Sequence, residues 1–306
     1  MNRILLCLIA SACAFAGVEK GEWTLSPSDT PGKIQFSLHS ESNGHHSFNS
    51  SSDWDASELK GLDWGTTGKH DVHFTIARDA GSIDGEGFMK DGSGAGLFTF
   101  HGNSQYTNEM SALGFPGVTD DELFAYTIHD VSLDFVRGIK AAGVTDLDKE
   151  KLIAFRIHGV TPAFVRDIRA AGVNESEADK LIAFRIHGVS PEFVRDIHAA
   201  GINASDPDKL IAFRIHGVSA EFVKNLHASG VDTKDSDKLI AFRIHGVSPE
   251  FVGQLDRLGF PHPDSDKLIA LRIHGVTPEY IEKLRARGMQ NLTLDQLINL
   301  RIHGID

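Results

Sequence analysis

Residues 181–197 read LIAFRIHGVSPEFVRDI, and residues 210–226 read LIAFRIHGVSAEFVKNL, 29 positions further on. The same step runs through two thirds of the chain. Histidine recurs as His129, His158, His187, His216, His245, His274 and His303. Isoleucine recurs as Ile128, Ile157, Ile186, Ile215, Ile244, Ile273 and Ile302. Leucine keeps the step from Leu123 to Leu297, glycine from Gly114 to Gly288, and an aromatic from Tyr106 through Phe135, Phe164, Phe193, Phe222 and Phe251 to Tyr280. Five columns in one register, without insertions, define a repeat array that starts near residue 104.

One unit shows what each repeat builds. Asp206 is placed to cap a first helix, Pro207 suits its opening position, and Gly217 stops it. Ser219 starts a second helix, on which Phe222, Val223 and Leu226 share a stripe. Helices of about 10 and 12 residues are marginal alone. Stacking supplies what they lack, so the array is expected to form an α-solenoid of two-helix, 29-residue repeats. The Leu, Ile and aromatic columns read as its core. Half units close it, a second helix at 104–115 and a first helix at 293–303.

Residues 17–103 follow another rule. Val72, Phe74 and Ile76 alternate with His73, Thr75 and Ala77, the pattern of a half-buried strand. Asp79-Ala80-Gly81 and Asp91-Gly92 mark turns into further strands, and two earlier strands are expected at 21–25 and 33–38. The Ser- and Asn-rich run 40–53 reads as a loop. The fold class is therefore α+β: residues 17–103 a small antiparallel, sandwich-like β domain, and residues 104–306 the solenoid.

Residues 1–16 read as a signal peptide, with Arg3, an apolar run from Ile4 to Ala10, and Ala14-Phe15-Ala16 before the cut. This implies a periplasmic or secreted protein. Cys7 and Cys13 both lie in this segment, so the mature chain has no thiol; a lipid anchor on Cys13 is the alternative processing. No apolar run reaches the ~18–20 residues that span a bilayer. With 30 Lys and Arg against 42 Asp and Glu the net charge is −12, which argues against nucleic acid as partner.

The run RDAGSIDGEGFMKDGSGAGLFTF at 78–100, followed by the repeats quoted above, resembles the non-catalytic C-terminal region of BlaR-like bacterial sensor metallopeptidases and related exported repeat proteins. No HExxH motif is present, so the resemblance carries over no catalytic residue. It implies an extracytoplasmic sensing or interaction module.

The His column is expected to meet the negative ends of the first helices rather than a metal. Stacked helices lie about 8–10 Å apart, too far for one His per unit to share an ion. The column Arg156, Arg185, Arg214, Arg243, Arg272 and Arg301 is expected to brace units by pairing with Asp179, Asp208, Asp237 and Asp266; the alternative is a basic ridge for an anionic ligand. Variation concentrates on one line of the second helices, Lys140, Arg169, His198, His227, Asp256 and Arg285, and these are the candidate binding residues. The chain reads as a non-enzymatic scaffold for a protein partner, with no cofactor and no metal. The alternative is a sensor for a small ligand or glycan, with its site in the β domain or at the domain junction.

Overall fold

The computed structural model describes residues 20–42 and 46–305; the expected signal segment and both cysteines lie outside them. Among the described residues a six-stranded antiparallel sheet is followed by fourteen helices, an α+β fold. The chain divides into two compact units. One holds the sheet and the helical residues up to Lys140 together with 147–157, and the other holds 141–146 and the residues from His158 onward.

In the first unit the strands are β1 (Lys20–Pro27), β2 (Lys33–Ser42), β3 (His46–Asp55), β4 (His70–Arg78), β5 (Gly81–Lys90) and β6 (Ser93–Gly102), in the order β3-β2-β1-β6-β5-β4. Alternation puts Trp23, Leu25, Phe36, Phe74, Ile76, Phe98 and Phe100 on one buried face. Three strands separate β2 from β4, yet the Phe36 and Phe74 rings lie 5.7 Å apart. The sheet therefore curls around its own side chains, and one curled sheet replaces the sandwich-like packing expected from sequence. The curl needs room for Trp23. A Cβ on Gly96 would come within 2.7 Å of the Trp23 indole nitrogen, which donates a hydrogen bond to the Glu86 carbonyl at 3.1 Å. After a single 3-10 turn (Ala56–Glu58), Lys60 bridges to Thr75 on β4.

The run 40–53, expected to be a loop, is mostly strand. Residues from His46 onward pair with β2 along its whole length, His39 facing Asn49 and Phe36 facing Ser52. Serine has weak strand preference, and the register with β2 overrides it.

The first unit also holds α1 (Ser104–Ala112), α2 (Asp120–Ile128), most of α3 (Leu133–Ala141) and α4 (Lys149–His158) up to Ile157. Helix α2 packs on β5 and β6, where the Phe124 ring stacks on Phe98 at 5.6 Å and meets Phe100 edge-on at 5.1 Å.

The second unit holds α5 (Pro162–Ala170), α6 (Ala178–His187), α7 (Pro191–Ala199), α8 (Pro207–His216), α9 (Ala220–Ala228), α10 (Ser236–His245), α11 (Pro249–Arg257), α12 (Ser265–Ile273), α13 (Pro278–Ala286) and α14 (Leu294–Ile302). Like stacks on like: α6, α8, α10, α12 and α14 form one row, and α5, α7, α9, α11 and α13 the other. The caps fall where the sequence placed them. Asp206 accepts from the Asp208 N–H at 2.9 Å, and Ser219 accepts from the Phe222 N–H at 3.1 Å. The second helices have nine residues rather than twelve, because a C-terminal turn closes them early. Leu210 and Phe213 of the first helix and Val223 and Leu226 of the second are fully buried.

Candidate functional site

The repeating polar side chains hold the rows together. Arg156, Arg185, Arg214, Arg243 and Arg272 each reach back 27 residues to the carbonyl at the end of the preceding first helix. Arg185, Arg214 and Arg243 donate through Nε to the carbonyls of His158, His187 and His216 at 3.1, 3.3 and 3.2 Å. Their guanidinium groups lie over Phe164, Phe193 and Phe222 at 5.1, 5.0 and 4.8 Å. Carbonyls at a helix end have no partner of their own, so a charged donor there is favourable. Arg185, Arg214 and Arg243 thus brace the units through backbone carbonyls rather than the aspartates expected from sequence, while Arg156 also pairs with Asp130 at 2.7 Å. Lysine takes that part: Lys180, Lys209, Lys238 and Lys267 pair with Asp208, Asp237, Asp266 and Asp295 of the next unit. Those hydrogen bonds hold the Lys180, Lys209 and Lys238 ammonium groups above the ordinary lysine range.

The His column needs a matching correction. It is the histidine backbone carbonyl that is capped, by arginine. The His303 ring does lie 2.8 Å from a carbonyl, that of Asn299. His129, in the first unit, departs from expectation in sign: burial, with Arg78 and Arg156 nearby, lowers its pKa where helix-end contact would raise it. Among the described residues no group of three or more His, Cys, Asp or Glu side chains is placed to hold a metal ion.

The variable second-helix line divides in two. Lys140 donates to the Leu113 carbonyl and lies over Phe115. Arg169 donates to the carbonyls of Ala142, Gly143 and Glu175, and Arg285 to that of Leu258 at 2.6 Å. These three cap the preceding second helix as the Arg column caps the first. His198 is half-buried, its Nε2 3.1 Å from the Ala204 carbonyl. His227 and Asp256 are exposed. His227 lines both a cleft of about 510 Å³ with Asp232 and Lys234 and one of about 350 Å³ with Asp256 and His262.

The isoleucine column is the feature that sequence reasoning misplaced. Ile157, Ile186, Ile215, Ile244, Ile273 and Ile302 are 54–57% exposed. In α6 the core side is Ala178, Leu181 and Phe184. Ile186 lies two residues beyond Phe184, about 200° around the helix, on the opposite side. Ile182, four residues earlier, lies half-buried on that same outer side. Isolated surface isoleucines are ordinary, but Ile186, Ile215, Ile244, Ile273 and Ile302 recur at the same place on every stacked helix of one row and form a line of exposed apolar side chains. Helix propensity does not explain it, since Lys, Glu or Gln would serve an exposed helical position better than a β-branched residue. The strip has unlike edges. Asp179, Asp208, Asp237, Asp266 and Asp295 stand in the first turns, and arginine and histidine stand at the opposite ends.

The first unit shows what this surface can hold. Phe124 and Ile128 occupy in α2 the places that Ile182 and Ile186 occupy in α6, yet they are 1% and 5% exposed. They are covered in the unit whose α2 packs on β5 and β6. The first unit also carries a cleft of about 520 Å³ lined by Lys20, Glu22, His39, Glu86 and Leu97.

Comparison with family models and with curated proteins finds no match to this chain. No described helix is long and apolar enough to cross a membrane.

Proposed function

We propose that the protein is a non-catalytic interaction scaffold, exported to the periplasm or secreted, that binds a protein partner through the isoleucine face of its first helices. One observation carries the reading: a strip of isoleucines, each 54–57% exposed, that neither core packing nor helix propensity requires. The burial of Phe124 and Ile128 supports it, since the equivalent face is apolar enough to take a partner within the first unit. Export rests on the pattern of residues 1–16, and a sensing role on the resemblance to BlaR-like proteins. The test compares proteins captured from native extract by the full chain and by Ile215→Asp/Ile244→Asp. A partner kept by the wild type and lost by the variant is expected; retention by both excludes this face.

The clefts beside His227 favour a second reading, in which the second-helix line contacts the partner. His227→Ala/Asp256→Ala would then lose capture while the isoleucine variant keeps it. A small-ligand sensor remains the reading supported by the cleft at Glu22, His39 and Glu86.

A further inference from the structure

We infer that the partner seated on the isoleucine face is a second copy of this chain, packed strip to strip about a two-fold axis parallel to the helix stack. The inference rests on the proposed interaction function and names its partner.

Three observations lead to it. The first is the sameness of the rungs. Ile186, Ile215, Ile244, Ile273 and Ile302 belong to one compact unit and are 54–56% exposed. A partner without internal repetition meets each rung with a different residue and gives no reason for five identical ones. A copy turned about an axis along the stack sets each rung against itself, so every rung answers to the same demand.

The second is charge. The first helices of this row enter with an aspartate and leave with arginine and histidine. Asp208, Asp237, Asp266 and Asp295 keep 70–79% of their side chains exposed despite their lysine partners. The two-fold axis along the stack reverses helix direction in the second copy, so each acidic edge lies against a basic one. The alternative axis, along the helices, sets aspartate against aspartate.

The third is size. Five stacked helices of nine or ten residues present a face of roughly 40 Å by 15 Å, on the order of 600 Å² before the charged edges are added. A stable interface buries about 800 Å² per partner. The strip and its edges are of that order, and the burial of Phe124 and Ile128 shows the equivalent face already closed against an apolar surface.

Light scattering after size exclusion, on the full chain from about 1 to 100 µM, measures the assembly. A dimer is expected, and Ile215→Asp/Ile244→Asp should weaken it by about 100-fold or more, as loss of central apolar contacts does. A circular dichroism melt checks that this surface variant stays folded. Mixing Ile182→Cys chains with Ile186→Cys chains tests the axis. With the axis along the stack the facing helices run antiparallel, so position 186 lies opposite position 182 of the same rung in the copy, and an oxidised dimer bridged 182 to 186 is expected, assigned by peptide mapping. With the other axis, position 186 meets position 302 and no such bridge forms. A monomer throughout, or a dimer that ignores the double substitution, overturns the inference. If the chain is monomeric yet the double variant loses a protein captured by the wild type, the interaction function stands and the second copy is excluded. If neither assembly nor capture responds, both fall.

Discussion

Arg214 shows how much one side chain does in this array. Its Nε serves the end of α6 at His187, while its planar guanidinium lies over Phe193. Between them passes Gly188, whose φ of +72° already favours glycine, and a Cβ there would stand 2.9 Å from the guanidinium. An exposed cation–π contact contributes about 0.5–1 kcal/mol and a hydrogen bond a similar net amount. Arg214→Ala should therefore lower unfolding stability by about 1–2 kcal/mol in urea titration. Arg214→Lys should restore less than half of this, since an ammonium lacks the flat fork that bonds and stacks at once. Full rescue by lysine would mean that only charge matters at this position.

At the scale of an element, α2 differs from its successors because it lies against the sheet, and its terminal His129 is sensitive to pH for that reason. Burial and the charges of Arg78 and Arg156 lower the folded pKa of His129 below its ordinary value near 6.5. The unfolded chain then binds the proton more tightly than the folded one. The stability is present in full above about pH 6.5 and declines as pH falls from there through the lower folded value. Melts of the full chain should shift downward between about pH 7.5 and 5.5, and His129→Gln should flatten that slope. A slope unchanged by the substitution would place the acid sensitivity elsewhere. The sequence pointed the other way because His129 shares a column with histidines on the helices that follow; its burial and the nearness of Arg78 and Arg156 set it apart. Caps, glycine stops and half units were legible, because Asp, Ser and Gly act on their own neighbours. The outward isoleucines were not. A column of large apolar residues looks like core until Leu181 and Phe184 are seen to hold the inner side. Strand β3 was hidden for the opposite reason, since its pairing with β2 depends on register and not on its serines.

Across the whole molecule, the 29-residue step makes the chain modular. Within the second unit α6, α8, α10, α12 and α14 stack each on its neighbour in the row, and their bonds follow the same spacing. Excising residues 207–235 removes one repeat of 29 and joins Asp206 to Ser236, leaving an aspartate to cap α10. Arg243 then faces the His187 carbonyl in place of Arg214. The shortened protein is expected to fold with native-like helicity and a smaller denaturant slope, in proportion to the surface lost. Collapse of the remaining array would show that the units cooperate beyond their neighbours.

The backward reach of the arginines also puts a clock on synthesis. The donor that closes each first helix is encoded 27 residues after the carbonyl it serves, as Arg185 is to His158 and Arg243 to His216. At about 5–20 residues per second, the ribosome delivers that donor roughly 1–5 s after the carbonyl has been made. A nascent chain therefore always carries one unfinished rung at its growing tip. A pause at any codon within the array holds the newest helix end open to water for as long as the pause lasts.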